Sequence, residues 1–330
     1  LGVNCVGARH VVSQLTQQIK NFALQEAGFD LVGIASVELP AFHETALKSW
    51  IEHGYAGSMG YMARNPERRA HPRFHPVSAP VAKSVIALAI NYYHPEDPKP
   101  DDFVRATRRV APTQPAFGKV AKYAYGLDYH KIIEKKLKKL SKFVLEAGGA
   151  GTEVKTYVDT GPILEKAFAQ SAGLGFFGKN TNIITRNYGS WVFLACLITN
   201  LELESDAPHE GSCGSCRICL DACPTGALLG NYTLDATRCI SYLTIESKDP
   251  IPESLREGVG EWAFGCDICQ DVCPYNFRAK TTRHEELYPL KKAGTWLDLA
   301  HVEIQPGSPL KRAKKLTRID RSLPAGPVGE

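Results

Sequence analysis

Apolar residues recur along the first two hundred positions in two rhythms, a helical period and short continuous blocks. Val12, Leu15, Ile19 and Phe22 fall at helical spacing within residues 11–27, and Gly28 supplies the stop. Leu31–Ser36 and residues 84–90 are short, β-rich and apolar throughout, the pattern of strands covered on both faces. Asp128 is placed to cap a helix over 129–147, ended by Gly148-Gly149. On that helix Ile133, Leu137, Leu140 and Val144 form an apolar stripe opposite Lys131, Lys135, Lys138 and Lys142, with Lys136 and Lys139 widening the basic side. Residues 154–158 read as a strand, followed by Gly161-Pro162 and a helix carrying proline in its first turn. Residues 183–185 and 191–199 read as the arms of a hairpin turning at Asn187-Tyr188-Gly189-Ser190. Helices and strands that alternate in this way predict an α/β (α+β) domain over residues 1–204.

The stretch 91–118 is rich in Pro, Asp and Arg and predicts a long surface loop. The segment 286–330 reads as a basic C-terminal extension, with little order expected after Pro306. At 330 residues with 44% hydrophobic and 22% charged content, the composition is that of a globular protein. No apolar run reaches the eighteen or so residues a membrane span needs. The N-terminal Leu-Gly-Val-Asn-Cys shows neither the basic patch nor the apolar core of a secretion signal, so a cytoplasmic location is expected. Nothing in the sequence demands a partner chain, and a monomer is expected. The net charge of +4 is too mild to name a partner.

Ten cysteines change the picture, because eight of them fall in or between two short blocks within residues 205–285. Cys213-x-x-Cys216-x-x-Cys219-x-x-x-Cys223-Pro224 is the full bacterial ferredoxin run; Cys266-x-x-Cys269-x-x-x-Cys273-Pro274 is the same run without its first cysteine. Three thiolates of such a run wrap one iron–sulfur cubane, while the cysteine before proline reaches across to the other. Ala263 stands where the second run's first cysteine would be, and Cys239 is the remaining cysteine nearby. The assignment is therefore Cys213, Cys216, Cys219 and Cys273 to one 4Fe–4S cluster, and Cys223, Cys239, Cys266 and Cys269 to the other. Structural zinc also uses Cys-x-x-Cys pairs but rarely needs eight ligands in interlocking Cys-Pro runs. Disulfides between cysteines this closely spaced would be strained. Cys196, in an apolar strand, reads as a small hydrophobe, and Cys5, near the terminus, as an ordinary thiol.

Four further segments carry a family resemblance: Lys122-Tyr-Ala-Tyr-Gly-Leu-Asp-Tyr-His130, Val158-Asp-Thr-Gly-Pro-Ile-Leu-Glu-Lys166, Gly175-Phe-Phe-Gly-Lys-Asn-Thr-Asn182 and Cys239-Ile-Ser-Tyr-Leu-Thr-Ile-Glu246. With the cysteine order, they resemble the epoxyqueuosine reductases, which act in queuosine synthesis on tRNA. The resemblance spans roughly residues 10–320, and Gly307-Ser-Pro-Leu-Lys-Arg-Ala-Lys-Lys315 looks like the family's terminal motif. Longer members carry a further helical-repeat domain for which these residues give no match. The resemblance implies a cobalamin-binding N-terminal domain followed by a ferredoxin-like domain with two 4Fe–4S clusters, an external electron donor, and a tRNA substrate. It implies Asp159 as proton donor and cobalamin contacts from Arg69, Ala124, Asp159, Ile183, Ile184, Thr185, Leu194, Ser241, Lys248, Cys266 and Asp267. No Asp-x-His-x-x-Gly motif is present, since Asp128-Tyr129-His130 runs on into Lys-Ile-Ile, so a bound corrinoid would lack a histidine below cobalt.

Asp159 ends a strand at a strand–helix junction, where open parallel sheets place ligands. The helix that follows would favour the carboxylate through its dipole, while burial beside a corrin face would favour the acid; donation near neutral pH requires burial to win. A capping carboxylate is the plain alternative for Asp159, a surface salt bridge for Arg69, a buried sheet for Ile183 and Leu194, and a tight turn for Gly175, Gly178 and Lys179. The lysine face on 129–147 and the tail residues Lys311, Arg312, Lys314, Lys315 and Arg318 suit phosphate contacts, although such faces are often merely solvated. Two other readings stand beside the reductase: a corrinoid reductive dehalogenase, and a two-cluster electron carrier with no chemistry of its own. The carrier reading leaves the preceding two hundred residues unexplained.

Overall fold

A computed structural model describes residues 3–72, 81–95, 117–289 and 296–298. Most of the 91–118 loop, the terminal motif, the basic tail and the side chain of Cys5 lie outside the described residues. The chain opens with α1 (Val3–Gln25), β1 (Leu31–Ser36), α2 (Phe42–Glu52), α3 (Pro66–Ala70) and β2 (Ser84–Asn91). Next come β3 (Phe117–Val120), α4 (Tyr129–Gly148), β4 (Val154–Tyr157), α5 (Glu165–Ser171), β5 (Phe176–Phe177), β6 (Ile183–Ile184) and β7 (Val192–Thr199). The cysteine-bearing part holds α6 (Ile218–Ala222), β8 (Leu228–Gly230), β9 (Thr233–Leu234), α7 (Ile240–Ile245), α8 (Glu253–Val259), β10 (Trp262–Phe264) and α9 (Ile268–Asp271), with β11 (Trp296–Asp298) beyond it.

The central sheet has the order β1-β2-β7-β4 and is antiparallel throughout. β2 is buried at every position, which is why its sequence carries no polar alternation. Helices α1 and α4 cover one face, packing Ile19, Ala23, Ile133, Leu137, Leu140 and Val144 on Ile86, Leu88, Ile90 and Leu197. α5 covers the other with Ala167, Phe168 and Ala169 on Val85, Ala87, Ala89, Cys196 and Ile198. The result is three layers of the α+β kind. Because the sheet is antiparallel, the rule that places ligands at the strand ends of parallel sheets does not locate this protein's site.

Two elements differ from the sequence reading. The expected hairpin does not form, because β7 is hydrogen-bonded to β2 on one edge and β4 on the other. Residues 183–184 pair instead with β5, and the turn survives only as a bridge between Thr185 and Gly189. That turn serves the cysteine-rich part: Asn276 accepts from the Ser190 N–H at 2.7 Å, and any side chain on Gly189, whose φ is +54°, would run into Asn276. The helix after β4 begins at Glu165 and not at Pro162. Residues 158–164 form a turn whose end is tied to α3 by the Leu164 N–H on the Arg69 carbonyl, 3.0 Å.

After the last cysteine the chain returns to the sheet. Asp30 accepts from Arg283 Nε and pairs with His284 Nε2, each at 2.8 Å, and also accepts from the Asn91 N–H. Burial would raise the Asp30 carboxyl, but His284, the Asn91 amide and Arg283 together hold it below the ordinary value. A second fastening is the small sheet β10-β3-β11, in which β3 runs parallel to β10. Among the described residues no helix is long and apolar enough to cross a membrane.

Candidate functional site

Cys213, Cys216, Cys219 and Cys273 line one cavity of about 300 Å³, counting its open mouth, with Lys179, Asn180, Ile184, Pro274 and Tyr275 completing the wall. The β5–β6 connection grips the first cysteine loop. Lys179 Nζ donates to the Gly214 and Cys216 carbonyls at 2.7 and 2.8 Å, and its N–H points at Cys213 Sγ, 3.4 Å away. Lys179 is thus more than part of a turn. The other four thiols gather separately. Burial pushes Cys266 up to about 12, against the Ile268 N–H, with Cys239 and Cys223 close enough to add to it. Burial likewise raises Cys269, and the neighbouring Cys266 and Cys239 reinforce the effect. Cys239 sits at the N-cap of α7, where the Tyr242 and Ser241 amides oppose its burial. Thiols this reluctant to ionise become thiolates when a cation meets them. The described cysteines are all free, and Cys196 is buried in β7 as a hydrophobe.

A second group of side chains, the Asp159 cleft, gathers where Asp159 acts on Tyr61, Tyr123, Tyr129, His130, Glu165, Lys166 and Glu246. Asp159 follows β4 with φ +54°, a strained backbone for a residue with a side chain. Tyr129 Oη donates to Asp159 Oδ2 at 2.8 Å, and His130 Nε2 stands 3.5 Å from the same oxygen. His130 Nδ1 is 3.0 Å from Asp128 Oδ1, which also caps α4 by accepting from the His130 N–H. The Asp159 N–H donates to Glu165 Oε1 at 2.9 Å. Although ringed by protein, the Asp159 side chain remains 62% exposed, so it faces open space.

Burial does not win at Asp159. His130 first, then the Tyr129 hydroxyl, hold its carboxyl below the usual range against the cost of burial. The counter-charge comes from α4 and not from the dipole of a helix at Pro162. The same contact raises His130, with Asp128 adding to it and burial opposing. Glu165 is pushed up to about 8 by burial and then by the charge of Asp159. Asp159 is thus held toward its anionic form and His130 toward its cationic form, while Glu165 is the group pushed into the neutral range.

Tyr61, Tyr123 and Glu246 complete the cleft. Burial pushes Tyr61 up to about 12, helped by Glu246 and Asp159, and raises Glu246 with Asp159 again contributing. Lys166 donates to the Thr181 carbonyl at 2.9 Å. Burial lowers it, while Cys269, Asp159, Glu165 and Cys239 act to hold its charge.

The remaining sites expected from the family resemblance fall in several places. Arg69 is buried, not a surface ion pair: Nη2 donates to the Tyr61 carbonyl at 2.9 Å, while its buried Nε has no partner among the described residues. Ala124 ends a short turn (Lys122–Ala124) and packs near Phe264. Ile183 belongs to the core, Ile184 to the first thiol cavity, and Thr185 Oγ1 donates to the Gly189 carbonyl. Leu194 is half-buried on β7, Ser241 lies in the first turn of α7, and Lys248 is exposed beyond that helix. Asp267 is 1% exposed and accepts from the Lys122 N–H at 2.6 Å. Lys131, Lys135 and Lys138 are exposed, and Lys142 pairs with Glu146 at 3.8 Å. Lys136 and Lys139 instead tie α4 to α1 through the carbonyls of Gly28 and Glu26. Sequence reasoning passed over Tyr129, His130, Glu165, Lys166 and Glu246, although all five stand inside the quoted segments.

A family model for a "4Fe-4S double cluster binding domain" matches residues 212–276, and one described as "Epoxyqueuosine reductase QueG, DUF1730" matches residues 69–160. The epoxyqueuosine reductase of Leadbetterella byssophila is 40% identical over 311 residues, covering 92% of this chain and 95% of that one. That of Pseudomonas aeruginosa is 41% identical over 311 residues, covering 91% and 82%. Among solved structures, an epoxyqueuosine reductase with a tRNA-Tyr epoxyqueuosine-modified stem loop matches with TM-score 0.72 at 34% identity, covering 84% of this chain and 69% of that one. The Streptococcus thermophilus enzyme matches with TM-score 0.75 at 31% identity, covering 92% and 79%.

Proposed function

The chain belongs to the epoxyqueuosine reductase family, and we propose that it reduces epoxyqueuosine to queuosine in the anticodon loop of tRNA, acting as a monomer in the cytoplasm. Two 4Fe–4S clusters held by the cysteines would carry electrons from an external donor, and cobalamin would be the group they serve. The observation that carries the reading is the cavity ringed by Cys213, Cys216, Cys219 and Cys273, gripped by Lys179 from the same α+β domain that carries Asp159. One fold thereby joins a redox module to a proton-handling cleft.

Cys213, Cys216, Cys219 and Cys273 hold the first cluster, and Cys223, Cys239, Cys266 and Cys269 the second. The donor set fits: four thiols around a cavity suit a cubane, in which each sulfur binds a different iron. For cobalamin the fit rests on the exposed setting of Asp159 and on the Arg69 Nε, a buried donor with no acceptor among the described residues. Arg69, Ala124, Asp159, Leu194, Ser241, Lys248 and Cys266 would hold it through side chains or backbone. Ile183, Ile184, Thr185 and Asp267, whose side chains are already engaged, would serve through their main chain. When bound, cobalamin supplies the low-potential metal that delivers electrons to the epoxide.

The chain's own residues manage the oxygen. Breaking a carbon–oxygen bond leaves charge that is costly in a closed cleft, and Asp159 relieves it by handing over a proton. Tyr129 and Glu165 fix the Asp159 carboxylate and main chain. Single-stranded loops allow a base to be splayed into such a pocket. Lys131, Lys135 and Lys138 run down α4 away from the cleft and meet the backbone phosphates. The test is conversion: holoprotein with a strong reductant should turn epoxyqueuosine-tRNA into queuosine-tRNA, read by mass spectrometry of the nucleosides. No conversion with both cofactors loaded would contradict the reading.

A further inference from the structure

Removing an epoxide oxygen as water consumes two electrons and two protons, yet the carboxylate assigned to hand over the proton is paired with a cation. The proton must come from another group. We propose that His130, oriented by Asp128, recharges Asp159, so that Asp128, His130 and Asp159 form a proton relay from the start of α4 into the cleft. The proposal rests on the reductase reading and extends it.

The geometry is that of a poised donor. His130 Nε2 is buried, has no partner other than Asp159 among the described residues, and stands 3.5 Å from Asp159 Oδ2. The other ring nitrogen is 3.0 Å from Asp128 Oδ1, so the proton on Nδ1 is engaged and Nε2 is the end that faces the cleft. The imidazole is stacked on Tyr129, ring centroids 4.0 Å apart, and Tyr129 is stacked on Phe193 at 4.1 Å. These contacts leave the ring little freedom to turn away. The charged and titratable groups around it are Asp128 and Tyr129 from α4, and Asp159, Glu165 and Lys166 from the segment after β4. With a nucleotide in the cleft, bulk water no longer reaches Asp159 freely, whereas His130 stays on the helix side.

The step balances as follows. The His130 Nε2–H bond breaks and an Asp159 Oδ2–H bond forms. As the carbon–oxygen bond of the substrate breaks, that proton passes to the departing oxygen. A second proton from solvent and two electrons from the external one-electron donor, relayed by the clusters, complete the change from epoxide to alkene and one water. After the product leaves, the exposed Asp159 carboxyl takes a proton from solvent and returns it to His130 Nε2. Asp128 does not touch the substrate; it positions the ring.

Two readouts test the relay. In oxidised holoprotein carrying isotope-labelled histidine, the His130 signal, identified by its loss in His130→Gln, should titrate above the ordinary histidine value, and Asp159→Asn should bring that midpoint down. A midpoint that does not move overturns the coupling. In turnover, the wild-type rate should fall as pH rises through the His130 midpoint. His130→Gln, which keeps a donor but cannot titrate, should lose at least about tenfold in rate and abolish that fall, since general acid steps contribute roughly 100- to 10,000-fold. If Glu165→Gln abolishes the fall and His130→Gln does not, the proton is stored on Glu165 and the relay is wrong. Wild type that converts substrate beside an unaltered His130→Gln variant fails the relay alone. Wild type that converts nothing at any pH fails the reductase reading, and the relay with it.

Discussion

The two working regions of this molecule encode their chemistry in opposite ways. In the cysteine module, Cys213, Cys216 and Cys219 face one cavity because a short loop can do little else, and the crossing that brings Cys273 to them is itself written in the two Cys-Pro runs. In the cleft, the Asp159 carboxylate is set by Tyr129 and His130, about thirty positions earlier, across a sheet and a turn. Its charge state follows from that meeting and not from its own neighbourhood along the chain. A local code resists change at distant sites, while a code assembled from two elements is exposed to every substitution that moves either one.

The comparison can be broken most severely at Cys239, the one assigned cluster ligand that belongs to neither run. Cys239→Ala should abolish reduction and remove one cluster, lowering iron from about eight to about four per chain. Electron paramagnetic resonance still showing two clusters would mean that the second run completes its cubane otherwise. Next in size is Asp159→Asn. Turnover should fall by roughly 100- to 10,000-fold while iron content and tRNA binding stay as they are. Loss of iron in this variant would show that the regions are not separable.

Asp30 tests the fastening between them. Replacing it by Asn takes the carboxylate away from the Arg283 guanidinium and from the His284 and Asn91 hydrogen bonds, and stability to urea should drop by roughly 1–3 kcal/mol. The folded Asp30 value lies below the ordinary one, so its contribution is full above the ordinary carboxylate range and is lost as pH falls through the lowered value. Wild type and variant should therefore converge in stability in acid, and a difference that persists there would assign the effect to packing. The smallest effect belongs to the α4 lysines. Lys131→Gln, Lys135→Gln and Lys138→Gln together should weaken tRNA binding and flatten its salt dependence by about 0.7–0.9 for each phosphate no longer neutralised. An unchanged slope would make that face merely solvated.

Legibility in the sequence follows the same division. Strand Leu31–Ser36, the Asp128 cap and the apolar stripe of α4 were readable because each is a local pattern. The hairpin at 187–190 was misread because pairing partners are decided by the whole sheet: β2 and β4 occupy both edges of β7. The start of α5 was misplaced because proline tolerates a first turn without requiring one. At the site, the four cysteines that share a cavity could be grouped from their spacing, whereas Asp159 was singled out through the family resemblance. His130 was noted only for lacking a corrinoid motif, since nothing along the chain reveals that its Nε2 faces Asp159. Arg69 likewise gives no sign in sequence that it is buried with a free Nε.

The most direct test of paired clusters feeding a corrinoid beside Asp159 is elemental analysis of anaerobically purified protein produced with cobalamin available. Iron and sulfide near eight per chain, from two four-iron cubanes, with cobalt near one and corrinoid absorption, is the predicted result. Zinc in place of iron, or full iron without cobalt, would contradict it.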